Sequence, residues 1–334
     1  MSARMPDPAP IMQLSTAYWA SQTLLTANRL GVFEQLAAEP RSTAQLAAAL
    51  GTDERATELF LNACVALGLL EQRAPGYGNS ALAAAFLVPG RPAYLGNALR
   101  YSDNLYATWG GLERSLRSGA PALAPASYLG DDPKRTRDFV YGMHDRALAI
   151  GQALVGLVDL TGRGRLLDVG GGPGTYAALF ARRYPGLRAT VIDLPPVAAL
   201  AGEIIASLGA SDVVTARPGN YLDCDLPGDQ DVVLISGVFH REREATCRDL
   251  IARALAALAP GGLLLVSDVF ADAGGTSPAF ATLFGLNMLL TAPDGGVHAD
   301  ADVAAWMEQA GCARTERRPF PPPMPHRLVI GYNP

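Results

Sequence analysis

The sequence has few cysteines, no excess of positive charge and no long apolar run, and each absence excludes a class of protein. Its four cysteines, Cys64, Cys224, Cys247 and Cys312, form no CxxC pair, so we expect reduced thiols rather than a zinc knot or a disulfide framework. The net charge of -5 and a pI near 5.4 disfavour binding to nucleic acid or to a membrane surface. No run of about 18 apolar residues and no apolar signal-peptide core occur, so we expect a cytoplasmic protein.

The composition is that of a globular protein. The chain has 334 residues, of which 49% are hydrophobic and 18% charged. This is enough apolar material for one large core or two unequal ones.

The most informative stretch runs from Leu166 to Asp193 and reads LLDVGGGPGTYAALFARRYPGLRATVID. Its apolar start, Leu166–Val169, predicts a buried parallel strand, and a second strand over Ala189–Ile192 ends at Asp193. Between them, the glycines remove every side chain where the backbone turns and a ligand can approach it: Gly170, Gly171, Gly172 and Gly174. The order strand, glycine turn, helix, strand and acid indicates a nucleotide-type cofactor site.

The acid at the end of the second strand indicates which nucleotide is bound. Asp193 follows Gly174 by 19 residues, where a carboxylate can accept hydrogen bonds from both ribose hydroxyls. The motif DVGGGPG, which begins at Asp168, lacks the spacing of the third glycine in a dinucleotide-binding fingerprint. We therefore expect an adenosine without a 2′-phosphate and without a pyrophosphate.

Five further segments, taken with the glycine turn, occur along the chain in an order that resembles one family. They are FVYGM (139–143), GNYL (219–222), SGVFHREREATC (236–247), LAPGGLLLVSD (258–268) and GGVHADADVAAWMEQAG (295–311). Over nearly its whole length the chain resembles the plant caffeic acid and bacterial small-molecule O-methyltransferases, which use S-adenosylmethionine. The resemblance implies cofactor contacts from Asp168, Gly170, Gly172, Asp193, Leu194, Gly219, Asn220, Tyr221, Ser236 and Met143. Asn220 stands where the family usually has an acid.

The same resemblance implies how the acceptor is deprotonated. His240 matches the family's general base, which takes a proton from a phenol as the methyl arrives. Asp268 matches a glutamate that orients this base. His298 stands where the family has a second glutamate, and Arg241 where it usually has an aspartate.

These two departures suggest a second chemistry. With Asp268, the two histidines His240 and His298 make a two-histidine, one-carboxylate set that suits a divalent metal. Such a metal would bind a 2-oxo acid, acidify its C3 protons and allow C-methylation, and Arg241 could pair with the substrate carboxylate. We place metal-assisted C-methylation slightly ahead of O-methylation by His240, within specialised natural-product metabolism.

The N-terminal part is predicted to be helical and to end in a winged helix. Helices are expected over 14–30, 31–38, 43–50 and 55–67, with Ser42 and Thr52 as N-caps, followed by two short strands in LGLLEQRAPGYGNS. The resemblance assigns this part to homodimerisation and to the back wall of the partner's substrate pocket. A cofactor-sensing regulator that binds DNA is the alternative, but six arginines and six acids cancel between residues 15 and 100.

The overall prediction is a Rossmann-like, doubly wound α/β domain behind a helical dimerisation domain. Its strands are placed at 166–169, 189–192, 213–217, 232–236, 263–266, 312–319 and 328–332. The predicted divisions are a mobile tail (1–12), a winged helix (13–100), bridging helices (101–160) and a catalytic domain (161–334). His144 and His326 are expected to be structural. Candidate residues lining the acceptor pocket are Tyr18, Trp19, Tyr101, Tyr106, Trp109, Phe284 and Met288.

Overall fold

A computed structural model describes residues 5–334, and the chain divides into two compact units, Met1–Asp103 and Asn104–Pro334. Part of the predicted tail, residues 1–4, lies outside the described residues. Residues 9–12 belong to the first helix, which begins at Ala9 rather than at residue 14. No helix within residues 5–334 is both long and apolar enough to cross a membrane.

The first unit consists of short helices and one hairpin. Its elements are α1 (Ala9–Leu30), α2 (Val32–Gln35), α3 (Thr43–Leu50), α4 (Glu54–Ala66), β1 (Leu70–Arg73), β2 (Gly76–Asn79) and α5 (Ala81–Phe86), and α6 (Gly96–Trp109) carries the boundary. Ser42 caps α3 in a capping box with Gln45, as predicted. The prediction of Thr52 as the second cap is wrong: Asp53 caps α4 by accepting a hydrogen bond from the backbone of Ala56.

The antiparallel hairpin β1–β2 follows α3 and α4, which is the element order of the predicted winged helix. Most of the large side chains of the long first helix are outside this unit's core. The exposed ones include Ile11, Met12, Leu14, Tyr18 and Trp19. Exposed apolar side chains of this kind are typical of an interaction site.

The second unit is a seven-stranded sheet between helices. Its helices are α7 (Leu112–Ser118), α8 (Ala126–Leu129), α9 (Pro133–Leu157), α10 (Thr175–Arg183), α11 (Pro195–Ser207), α12 (Glu244–Ala257), α13 (Ala279–Thr291) and α14 (Asp300–Gln309). Its strands are β3 (Arg165–Val169), β4 (Arg188–Asp193), β5 (Val214–Pro218), β6 (Gln230–Ser236), β7 (Leu258–Val269), β8 (Arg314–Pro319) and β9 (His326–Tyr332). The order across the sheet is β5-β4-β3-β6-β7-β9-β8.

The apolar runs of the central strands explain this architecture. Leu166 packs with α10 and α11 on one face of the sheet, and Leu167 packs with α12 and α14 on the other. Strands β3 to β7 are parallel, and β9 and β8 are added antiparallel. The predicted Rossmann-like fold is confirmed, and all seven predicted strands are present with shifts at their ends. The carboxyl ends of β3, β4, β6 and β7 meet at one edge, where ligands bind in such sheets.

Candidate active site

The chain makes a tight glycine turn directly after β3. Gly170 and Gly172 have φ angles of +66° and +54°, a backbone conformation that favours glycine. A Cβ atom on Gly170 would lie 2.7 Å from Cγ2 of Val238, whereas one on Gly172 would meet nothing within 4 Å. The turn therefore packs against protein at Gly170 and is open at Gly172, where a ligand can approach the main chain.

The carboxylate of Asp193 holds this turn from the neighbouring strand. It ends β4, and its two oxygens accept hydrogen bonds from the backbone amides of Gly172 (2.8 Å) and Leu194 (2.7 Å). Burial raises the pKa of Asp193, against the effect of these two amides. Each carboxylate oxygen can accept a further hydrogen bond, so the geometry suits the predicted contact with two ribose hydroxyls.

Asp168 lies directly against the glycine turn and is 0% exposed. Its Cγ would be 2.5 Å from a Cβ on Gly171, and neither of its oxygens makes a hydrogen bond of normal geometry among residues 5–334, although the backbone amide of Ala177 opposes the rise in its pKa. Burial, followed by the nearby charge of Asp193, raises the pKa of Asp168 to about 7. An ionised carboxylate without partners is costly in a protein interior, so a ligand that brings positive charge would stabilise it. S-adenosylmethionine carries a sulfonium and an ammonium group and fits this requirement.

Gly219 and Asn220 form the start of the loop after β5. The backbone amide of Gly219 donates to the carbonyl of Asp193 (2.9 Å), which brings this loop to the end of β4. The side-chain oxygen of Asn220 accepts a hydrogen bond from the backbone of Leu222 (3.1 Å), so Asn220 stabilises its own turn. An adenine contact from the Asn220 side chain stays a prediction.

Tyr221 brings the same loop onto the glycine turn. A Cβ on Gly170 would lie 3.3 Å from its ring, and its hydroxyl donates to Glu242 at 2.7 Å. Glu242 was not among the predicted site residues. Only the fold brings its carboxylate to a tyrosine 21 residues earlier in the chain, so no local pattern could have indicated it.

Met143 and Ser236 complete the predicted cofactor set. Met143 is half-buried on α9, and the next residue, His144, lies with Nδ1 2.8 Å from the hydroxyl of Thr175, the first residue of α10. Burial lowers the pKa of His144. His144 thus ties α9 to the helix that follows the glycine turn. Ser236 ends β6 opposite Ser267 of β7.

His240 and Asp268 form a close pair at the same edge of the sheet. His240 lies in a 3₁₀ turn, Phe239–Arg241, directly after β6, and its Nδ1 is 2.6 Å from Oδ1 of Asp268. Asp268 also accepts hydrogen bonds from the backbone amides of His240 (3.2 Å) and Val269 (2.7 Å). Burial raises the pKa of Asp268, but the charge and hydrogen bond of His240 outweigh it and hold that pKa below its usual range. This pairing is the one that the sequence predicted.

The ionised Asp268 determines the tautomer of His240. A carboxylate only accepts hydrogen bonds, so Nδ1 of His240 carries a hydrogen, and in the neutral imidazole the lone pair is on Nε2. The imidazole is 14% exposed, against 3% for the Asp268 side chain. The ring of Phe284 packs edge-on against it, with the centroids 4.8 Å apart. Nε2 is therefore the nitrogen available to take a proton from a substrate.

His298 does not join this pair. Its Nε2 lies 2.9 Å from the carbonyl of Glu242 and 3.1 Å from that of Phe239, and its ring packs edge-on against Trp306. Carbonyls only accept hydrogen bonds, so Nε2 of His298 is a donor and is directed at the backbone.

The predicted metal site is therefore wrong. Nε2 of His298 donates to two backbone carbonyls and has no lone pair to offer, so it does not join His240 and Asp268 in a common ligand set. Within the described part of the chain, no group of three or more histidine, cysteine or acidic side chains has an arrangement that could hold a metal ion. The prediction of metal-assisted C-methylation depended on that set and loses its basis.

Arg241 is directed at the segment before α9. Its Nη1 donates to the hydroxyl of Tyr128 (3.0 Å), which in turn donates to the carbonyl of Thr291 (2.7 Å). Its charge is the smallest of the effects that oppose the burial-driven rise in the pKa of Asp193. A contact between Arg241 and a substrate carboxylate stays a prediction.

Of the candidate lining residues, Phe284 is placed against His240. Trp109 donates its indole N–H to Asn287 of α13 (3.1 Å), and Met288 of the same helix is buried. Tyr106 is half-buried. In the first unit, Tyr18 and Trp19 are exposed and Tyr101 is buried.

Comparisons with known proteins define the class as that of methyltransferases that use S-adenosylmethionine. Residues 116–313 match the family model described as the O-methyltransferase domain, and residues 12–89 match the O-methyltransferase dimerisation domain. The first model covers more than half of the chain, which therefore belongs to the O-methyltransferase family.

Individual proteins resemble the chain over almost its full length. It is 35% identical to a 3-hydroxy-5-methyl-1-naphthoate 3-O-methyltransferase of Streptomyces sahachiroi, over 97% of this chain and 95% of the relative. It is also 35% identical to the tetracenomycin polyketide synthesis 8-O-methyl transferase TcmO of Streptomyces glaucescens, over 98% and 97%. Human N-acetylserotonin methyltransferase in complex with S-adenosylmethionine shares the fold, with a TM-score of 0.89, 24% identity and coverage of 100% and 99%.

Proposed function

We propose that this S-adenosylmethionine-dependent O-methyltransferase methylates a hydroxyl on a polycyclic aromatic natural product, with His240 as general base. The observation that carries the proposal is the 2.6 Å contact between His240 and the buried Asp268. It fixes the imidazole in the tautomer that a base requires and leaves Nε2 for the acceptor.

The residues divide the reaction into two tasks. When bound, S-adenosylmethionine supplies a methyl group on a positively charged sulfur, which leaves as a neutral thioether. Nε2 of His240 takes the hydroxyl proton while the oxygen accepts the methyl. The Asp268 carboxylate stabilises the imidazolium that results. The glycine turn, Asp193 and Tyr221 would hold the cofactor at the neighbouring strand ends and keep the two reactants in line.

Two observations support an aromatic acceptor. One relative is named for a naphthoate and the other for tetracenomycin polyketide synthesis. Beside His240, the rings of Phe284 and Phe280 stack at 6.1 Å with an interplanar angle of 10°, and Phe280 is 54% exposed. Parallel aromatic rings next to the base offer a flat apolar surface on which a fused ring can pack.

The homodimer belongs to the same proposal. The first unit matches a dimerisation domain, and α1 exposes Ile11, Met12, Leu14, Tyr18 and Trp19. A second copy of this chain would remove that apolar surface from water.

Methyl transfer to 3-hydroxy-5-methyl-1-naphthoate tests the function, with mass spectrometry and NMR to locate the added methyl. We expect methylation at oxygen, and for His240→Asn a kcat lower by about 10²- to 10⁴-fold. Binding of S-adenosylhomocysteine should be unchanged in this variant. Arg243→Gln, an exposed neighbour, is the matched control. A His240→Asn enzyme as fast as the wild type, or a product methylated at carbon, would overturn the proposal.

A further inference from the structure

The turn that carries His240 has two backbone carbonyls on the side away from Asp268. They belong to Phe239 and Glu242, the residues that bracket His240 and Arg241. Within the turn, the carbonyl of Phe239 accepts from the backbone amide of Glu242 (3.0 Å) and can accept a second hydrogen bond, whereas the carbonyl of Glu242 needs a donor from elsewhere.

His298 supplies a donor to both carbonyls. Its Nε2 lies 3.1 Å from the carbonyl of Phe239 and 2.9 Å from that of Glu242, so one N–H is shared between them. The thiol of Cys247 lies against the same two oxygens at 3.8 and 3.7 Å, a longer and weaker contact. The ring of Trp306 packs against His298 and fixes the plane of the imidazole. His298 is thus the principal side-chain donor to these two carbonyls.

The segment that carries His298 is itself attached to the turn and to the sheet. The backbone amide of Gly296 donates to the carbonyl of His240 (2.9 Å), and the carbonyl of His298 accepts from the amide of Ala271, just after β7 (2.9 Å). Asp268 holds His240 from β7 itself. The His240 turn is therefore fixed on one side by Asp268 and on the other by residues 296–298.

We infer that His298 is a positioning residue: it donates from Nε2 to the carbonyls on either side of His240 and so sets the direction of the catalytic imidazole. This rests on the proposed role of His240 as base. His298 touches neither the Asp268 carboxylate nor the Nε2 of His240, so its effect reaches the reaction only through the backbone of the turn. The two histidines have opposite tautomers, with the hydrogen on Nδ1 in His240 and on Nε2 in His298.

Three substitutions of His298 test the effect of its Nε2 hydrogen-bond donor separately from that of the size of its ring. In His298→Gln the amide nitrogen reaches the position of Nε2, in His298→Asn it falls short, and His298→Leu has no donor. Cys247→Ala removes the long contacts of the thiol with the same carbonyls and with Nε2 of His298 (3.6 Å) but keeps the His298 donor, and so controls for loss of packing. The measurements are kcat and KM with 3-hydroxy-5-methyl-1-naphthoate, and calorimetric binding of S-adenosylhomocysteine.

We expect His298→Gln and Cys247→Ala to keep the wild-type kcat. His298→Asn and His298→Leu should lower it by about 10- to 100-fold, because misplacing a catalytic group by a fraction of an ångström to about 1 Å costs this much. KM and binding of S-adenosylhomocysteine should not change. If the His298→Asn or His298→Leu enzyme turns over at the wild-type rate, or if His298→Gln is as slow as His298→Leu, His298 is not a positioning residue.

A second measurement needs no acceptor and therefore does not depend on the proposed function. The chain has only four histidines, so ¹⁵N-histidine NMR of the complete protein can resolve each ring. We expect the Nδ1 proton signal of His240, bonded to Asp268, in the wild type and in His298→Gln, and its shift or loss in His298→Asn. An unchanged His240 signal in the His298→Asn protein would overturn the inference. If the signal is lost in His298→Asn but the His240→Asn enzyme keeps full activity, only the proposed function is overturned.

Discussion

Replacing Asp168 by asparagine should make the cofactor-free protein more stable and the cofactor site weaker. Asp168 is 0% exposed, and its carboxylate makes no hydrogen bond of normal geometry among residues 5–334. Asparagine has almost the same shape and carries no charge. It therefore removes the cost of an unpaired ionised carboxylate without creating a cavity.

The magnitude follows from the pKa. Burial raises the pKa of Asp168 from 3.8 to about 7 in the folded protein, a difference that corresponds to about 4 kcal/mol. The unfolded chain releases this proton near pH 4 and the folded protein only near pH 7. The wild type therefore loses free energy of unfolding as the pH rises between these values, and the loss stays constant above pH 7. The Asp168→Asn protein has no carboxyl group at this position, so its free energy of unfolding does not fall in this way.

The assay is urea unfolding of the cofactor-free wild type and of Asp168→Asn at pH 5, 6 and 8. The stability gain of the variant should grow between pH 5 and 8. Asp268→Asn is the matched control, because the pKa of Asp268 is shifted in the opposite direction, downward. Its ionised form stabilises the fold throughout this pH range, so Asp268→Asn should lower the free energy of unfolding at every pH tested.

Two results would refute this reasoning. One is a stability difference between Asp168→Asn and the wild type that does not change with pH. The other is an Asp168→Asn protein that binds S-adenosylhomocysteine as tightly as the wild type, since the unpaired carboxylate would then not contribute to the cofactor site. Calorimetric titration with S-adenosylhomocysteine at pH 8 measures the second.

Two other substitutions test the surfaces on which the proposed function depends. Trp19→Lys, at a side chain that is 61% exposed, should convert a dimer into monomers in light scattering with the fold retained by circular dichroism; an unchanged mass would argue against α1 as the interface. Phe284→Leu removes the ring against His240 and should raise KM for a naphthoate by about 5-fold, since an aromatic pair contributes about 1 kcal/mol beyond its area. An unchanged KM would place the acceptor elsewhere.

The strands and the acids at their ends could be predicted because their signals are local. An apolar run followed by glycines indicates β3 and its turn, and the alternation of strand and helix predicts that Asp193 and Asp168 lie at one edge. Predictions of the ends of elements were less accurate. Asp53 caps α4 instead of Thr52, because either polar side chain could serve and only the backbone conformation decides between them.

The role of His298 could not be read from the sequence. Its position beside His240 and Asp268 in the family pattern suggested a third ligand, but the direction of an imidazole depends on which donors and acceptors the fold brings near it. Here two carbonyls, 59 and 56 residues earlier in the chain, determine that direction. The pairing of Tyr221 with Glu242 was missed for the same reason.

The strand order divides this edge of the sheet into two halves, which are joined by the hydrogen bond between Tyr221 and Glu242. Strands β3, β4 and β5 carry most of the groups suited to the cofactor, and β6, β7 and the loop before α14 carry the proposed base and the residues that hold it. Helix α13 places Phe284 against His240, which belongs to the second of these halves. If the acceptor binds beside His240, substitutions on α13 change its binding surface and leave the strands of the cofactor half as they are. This helix is therefore the part of the enzyme to vary when a different acceptor is wanted.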